Sequence, residues 1–318
     1  MRNPFTFRLI LGSCLAGAIL FPGNAGAAFV DTMEFDLQAG LRQDQLDWNI
    51  PGQNINVLSE LDWEDLEIWQ VGLTGKMAFA SKSSSMLHPY VRGSLDYGWI
   101  RDGTAQDSDY NGNNRTMEIF RSLSATEDDN VFDGSVGFGF ERKIWIDRIT
   151  LGLLGGYSYH EQNLRLSKGL QVISHGELLI PSQPIPGLNT TYESKWYGPF
   201  AGIDFTLQPR PDVSFLFSLE YHWSDYEGEG NWNLRTDLAH PVSFRHEADT
   251  ADGVVATFRG NYFFSNGWGL DLTFVYRDFS ANDGVDQTFL ANGVTITTKF
   301  NEANWQSSAI TVGLAYQF

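Results

Sequence analysis

The 318-residue chain carries 21 basic and 39 acidic residues, for a net charge of −18, with a single cysteine and 14% aromatics. That balance argues against nucleic-acid binding through a general basic surface. A slightly negative mean hydropathy alongside so many aromatics suits a membrane barrel, whose lumen and loops are polar while alternate strand residues face lipid.

The chain opens like an export leader. Arg2 and Arg8 supply the positive start, residues 9–21 are apolar or small, and Ala25-Gly26-Ala27 forms a small-residue cleavage site. The apolar stretch is shorter than the ~20 residues a spanning helix needs. The spacing therefore predicts a signal peptide over 1–27 and a mature domain over 28–318. Cleavage removes Cys14, leaving a thiol-free chain suited to an oxidising compartment.

Beyond the leader, period-two alternation dominates. Ten strands are predicted near 33–48, 57–80, 86–101, 131–144, 149–165, 195–208, 212–226, 253–264, 268–280 and 304–318. The last is the clearest. Ile310, Val312, Leu314, Tyr316 and Phe318 share one face, and Ala309, Thr311, Gly313, Ala315 and Gln317 share the other. Short connectors near 81–85, 145–148, 209–211 and 265–267 alternate with long polar ones near 49–56, 102–130, 166–194, 227–252 and 281–303. Asp147, Pro209-Arg210-Pro211 and Ser265-Asn266-Gly267 are good turn chemistry.

This asymmetry predicts an all-β fold: a ten-stranded antiparallel transmembrane β-barrel with five long outer loops and short periplasmic turns. The location implied is the outer membrane of a Gram-negative bacterium, with both termini periplasmic. A ten-stranded lumen is narrow and should be filled largely by side chains, which disfavours a wide channel and moves function to the rim. The terminal Phe318 resembles the C-terminal signature that barrel-insertion machinery reads.

Four segments, in order, resemble the omptin family of surface proteases. They are Leu58-Ser59-Glu60-Leu61-Asp62-Trp63, Asp107-Ser108-Asp109-Tyr110, the run 151–157 (LGLLGGY) and the run 192–202 (YESKWYGPFAG). The resemblance covers essentially the whole mature chain. It implies a ten-stranded barrel, a need for lipopolysaccharide, and a water activated between an Asp-x-Asp pair and an Asp-x-His pair, the His serving as base. Asp107 and Asp109 match the first pair. The second is not matched. Counting forward from Trp223 puts Trp232 at the His position; counting back from Phe244-Arg245 puts Arg235 there, with Asn233 in place of Asp. The nearest substitute is Asp237-Leu238-Ala239-His240, whose extra residue turns His240 to the opposite face of an extended segment. His222 and His246 are further histidines near this end. Asp47 is the closest residue to the omptin acidic specificity pocket.

The same loop supports a competing reading. Asp107, Asp109, Asn111, Gly112 and Glu118 fit the calcium-loop pattern D-x-[DN]-x-[DN]-G-x5-E. Asn114 and Arg115 depart from the pattern, and no helices flank it. No phosphate-binding loop, His-x-x-x-His pair or Gly-x-Ser-x-Gly elbow is present, so no cofactor is required. His160 near Ser158 is a weak hint of wall-borne hydrolase chemistry. Two functions follow. The first is an omptin-like surface protein with a degenerate active site, contacting outer-membrane lipid and lipopolysaccharide and binding a peptide, host surface or envelope partner through its outer loops. The second is a divergent endopeptidase that cleaves basic peptides with Asp107, Asp109, His240 and Asp237.

Overall fold

A computed structural model describes residues 30–80, 87–144 and 148–318. The predicted leader over 1–27, the connector near 81–85 and Asp147 lie outside the described residues. The alternating segments form twelve antiparallel strands: β1 (Val30–Ile50), β2 (Ser59–Phe79), β3 (His88–Gly112), β4 (Thr116–Ala125), β5 (Asn130–Ile144), β6 (Ile149–Ser174), β7 (Glu177–Pro184), β8 (Thr190–Arg210), β9 (Val213–Asn231), β10 (Phe244–Phe263), β11 (Trp268–Phe289) and β12 (Thr295–Gln317).

Ten of them close the wall, in the order β1, β2, β3, β5, β6, β8, β9, β10, β11, β12 and back to β1. These are the ten predicted strands. The other two correct the loop assignment. β3 pairs with β5 over His88–Trp99 and with β4 over Thr104–Gly112, so β4 continues the wall above β5. β7 pairs with the tip of β6 and, among the described residues, with no other strand. The predicted outer loops are thus largely strand, and their non-strand parts shrink to residues 51–58, 113–115, 126–129, 175–176, 185–189, 232–243 and 290–294. Outside lipid the outward face of a strand need not be apolar, so the lipid-facing alternation stops marking these extensions.

At the opposite end the two turns that the described residues cover in full, 211–212 and 264–267, are short. Gly267 sits at φ +84°, where a Cβ would stand 2.7 Å from the Gln317 carbonyl oxygen, so the Asn-Gly turn needs its glycine. Met33 and Phe318 exchange backbone hydrogen bonds of 2.9 and 3.0 Å, which places both ends of the described chain together.

Alternation sorts the wall into two faces. Leu37, Leu41, Phe217, Leu270, Leu272, Phe274, Val312 and Leu314 are exposed and form the lipid band. The inward face has two levels. Within the band it is polar: Arg42 is bound by Asp44 and Asp133, Arg92 by Glu220, and Arg277 by Asp96. Buried charges persist only when paired, and the narrow lumen brings them within reach across it. Above the band, Trp48, Trp63, Tyr192, Trp196, Tyr226 and Phe300 pack into a hydrophobic plug.

Candidate functional site at the outer rim

The rim is built on the plug. Trp63 pairs in register with Ala105, Leu61 with Asp107, and Ser59 with Asp109; β4 adds Ser122 opposite Asp107. Cross-strand partners share a face. Because Trp63 and Leu61 are buried inward, Asp107 and Asp109 point inward too, just above the plug.

Their electrostatics are unusual. Burial first, and the neighbouring Asp109 charge second, push the Asp107 carboxyl up to about 8, while Arg235 pulls it back. Burial also raises Asp109, opposed by a hydrogen bond from Ser59 and by Arg235. The residue whose charge answers the acidic pair is thus the arginine found by counting back from β10. Arg235 lies on the 232–243 turn and holds Asp237 in a two-pronged pair, Nε to Oδ1 at 2.9 Å and Nη2 to Oδ2 at 2.7 Å. That hydrogen-bonded pair lowers Asp237 to about 2. Asn233 takes no part in it: its Oδ1 accepts from the Asn189 amide at 2.9 Å, and its Nδ2 donates to the Gly187 carbonyl at 2.8 Å.

His240 is exposed, with Nδ1 2.8 Å from Asn231 Oδ1. Its segment is tied to the last outer turn by the Ala239 amide, which donates to Phe289 O at 2.8 Å, and by the Leu238–Leu290 bridge. Among the described residues no interaction joins His240 to Asp107 or Asp109. Asp47 lies between Leu46 and Trp48, which both point inward, so it faces the outer wall. There it accepts from Asn304 Nδ2 at 2.9 Å. Arg235 therefore acts on Asp107 and Asp109 through its charge alone, its own ion pair being with Asp237, while His240 and Asp47 lie elsewhere.

The calcium-loop residues form a tight hairpin in which Gly112 pairs with Thr116. Glu118 gives both oxygens to Arg121, at 2.7 and 2.6 Å, and Asn111 is exposed. Among the described residues no group of three or more His, Cys, Asp and Glu side chains is arranged to hold a metal. Three other histidines, His160, His222 and His246, are interior. His222 accepts from Ser158 Oγ at 2.8 Å and donates Nε2–H to Glu220 at 3.0 Å, and His160 Nδ1 donates to Asp133 at 2.7 Å. His246 lies in the plug, edge-on to Trp48 and 3.0 Å from the Tyr192 hydroxyl.

The raised Asp107 carboxyl predicts a pH effect. Below about 3.8 both folded and unfolded carboxyls hold their proton; between there and about 8 only the folded one does. The folded state then binds more protons, so its stability falls as pH rises through this window. Asp107→Asn should match the wild type in denaturant at low pH and exceed it at pH 8 by upward of about 1 kcal/mol, one pKa unit being worth about 1.4 kcal/mol. A gap independent of pH would contradict the assignment.

A closed ten-strand wall with a lipid band outside and packed side chains inside defines an omptin-like outer-membrane β-barrel. Among solved structures it is similar to the outer membrane protease OmpT from Escherichia coli, with a TM-score of 0.70 and 13% identity over 91% of this chain and 97% of that one. A FadL homologue from Pseudomonas aeruginosa matches with a TM-score of 0.32 and 12% identity, over 93% of each chain. No curated protein matches the sequence. The chain belongs to the Protochlamydia outer membrane protein family, whose model matches residues 36–318.

Proposed function

We propose that this barrel is a surface protein that binds a peptide or envelope ligand at its acidic rim without cleaving it. One observation carries the reading: the charge answering Asp107 and Asp109 is the guanidinium of Arg235, where an omptin-type site needs an imidazole. A guanidinium stays protonated and has five donors and no acceptor, so it cannot take a proton from water. Asp107, raised to about 8, is itself mostly a neutral acid at pH 7 and a poor base. The lipid band supports contact with outer-membrane lipid, lipopolysaccharide included. Phe318, packed near Phe35 and Tyr316 at ring separations of 6.4 and 5.5 Å, is the element that insertion machinery would read.

The test is turnover. Barrel refolded with lipopolysaccharide should leave a basic peptide library intact, as judged by mass spectrometry, while retaining part of it on the immobilised protein. Cleavage abolished by Asp107→Asn and by His240→Ala would sink the proposal in favour of the divergent endopeptidase.

A further inference from the structure

Cations are scarce on this acidic barrel, and nearly all are held. Among the described residues, each Lys and Arg has a carboxylate partner except Arg101, Arg142, Lys143 and Arg148. Arg101 lies over the Trp69 ring, 4.7 Å from its centroid. The other three stand exposed around one turn, Arg142 and Lys143 near the end of β5 and Arg148 just before β6. Glu141 beside them is bound by Lys76 at 2.6 Å. In the sequence, 142–148 holds three cations and one acid, Asp147, in a chain of net charge −18.

The register sets their place in the membrane. Phe138 and Phe140 are exposed on the lipid face of β5, and Arg142 continues that face one pleat further, opposite the exposed Leu151. Ile144 follows on the same face, so the Arg142 stem lies along apolar surface while its guanidinium reaches the interface. The Gln208 amide donates to the Arg148 carbonyl at 2.8 Å, which ties this turn to the end of β8. Beside it the lipid face is hollow. Phe205, Leu207, Phe215, Phe217 and Phe258 line an apolar groove of about 370 Å³ across β8, β9 and β10. Arg142 pairs with Leu151, and Leu151 with Phe205, so two strand spacings, roughly 10 Å, separate Arg142 from the groove. Arg148 is nearer, because Gln208 follows Leu207 at the groove's edge.

Cations at the mouth of an apolar groove match a lipid with an anionic head and an apolar tail. Lipopolysaccharide belongs to the outward leaflet, so the anionic head available at this end is that of a phospholipid. We propose that Arg142, Lys143 and Arg148 bind the phosphate headgroup of an anionic phospholipid in the periplasmic leaflet, with one acyl chain in the groove beneath Phe205 and Phe258. The two guanidiniums can each grip phosphate through paired N–H···O bonds, and Lys143 adds a point charge. The site lies at the opposite end of the barrel from the Asp107 hairpin and is independent of the rim.

The experiment refolds the whole barrel into nanodiscs of phosphatidylcholine and phosphatidylglycerol in equal amounts. Native mass spectrometry then reads which lipid stays bound. Phosphatidylglycerol should be retained over phosphatidylcholine by on the order of tenfold, the scale that one or two cations at a membrane surface give. Arg142→Gln/Lys143→Gln/Arg148→Gln should erase the preference, and Arg101→Gln, at the other boundary, should leave it. If the triple variant fails to refold, Arg142→Gln and Arg148→Gln singly should each reduce it several-fold. Inorganic phosphate and glycerophosphoglycerol, which lack the chain, should not displace the lipid. No preference in the wild type, or one that survives the triple variant, overturns the site. So does displacement by either chainless phosphate, which would assign the cations to a free anion. Capture of polyglutamate with no lipid preference would overturn it in favour of an acidic peptide.

Discussion

Arg42→Ala should destabilise the barrel by about 3–5 kcal/mol, the scale of breaking a buried ion pair by removing one partner. Arg42 is fully buried and donates Nε and Nη2 to Asp44 at 2.7 and 2.6 Å, while Nη1 binds Asp133 from across the lumen. Without it, Asp44 keeps a Trp305 Nε1 donor at 3.1 Å and Asp133 keeps His160 at 2.7 Å. Arg277 reaches Asp133 only at 4.0 Å. Two carboxylates would then sit in low dielectric with half their partners. Urea unfolding in lipid vesicles, followed by tryptophan fluorescence, measures the loss. The Arg42→Met/Asp44→Leu/Asp133→Leu variant should recover most of it, because what costs is the orphaned charge rather than the missing bridge. A loss under about 1 kcal/mol in the single variant would show that the network contributes little.

Trp196→Ala should cost a similar amount, about 3–5 kcal/mol, by opening a cavity in the plug. Trp196 is completely buried, with ring centroids 4.5 Å from Tyr226, 5.8 Å from Phe279 and 6.4 Å from Trp305, and its Nε1 donates to Ser194 at 3.1 Å. Trp69, 57% exposed on the lipid face, is the control and should cost less when replaced by Ala. Because the plug supports the rim, the Trp196 variant should also become protease-sensitive in its outer hairpins. Equal losses for the two tryptophans would mean that the plug adds nothing beyond ordinary burial.

What could be read from the sequence divides at the edge of the lipid band. Inside it, lipid and lumen impose opposite demands on alternate residues, so the last strand reads correctly: Ile310, Val312 and Leu314 are exposed, and Ala309, Thr311 and Ala315 are buried. Above it the rule lapses. On β2 the inward residues run Leu61, Trp63, then Leu66, Ile68, because a bulge at Asp65 (φ 53°) reverses the parity. Lys168 (φ 52°) marks a similar left-handed kink on β6. Alternation across such positions misleads, and the strands beyond them look like loop. The Asp107–Asp109 pair was legible because both residues lie on one strand two apart. Its counterpart was not, because 232–243 is an irregular turn whose two counting directions disagree; only the electrostatics of the folded rim select Arg235.

The tip of β7 bears on how this protein lives among its neighbours. Outer-membrane barrels sit crowded side by side, and a strand standing clear of the bilayer with one flank unpaired would offer its amides to the next molecule. β7 carries Pro181 and Pro184 within eight residues. Proline has no N–H to give, so two of the eight residues cannot donate to a docking strand. The projecting hairpin can therefore reach outward in a packed surface layer without seeding a chain of barrels zipped edge to edge.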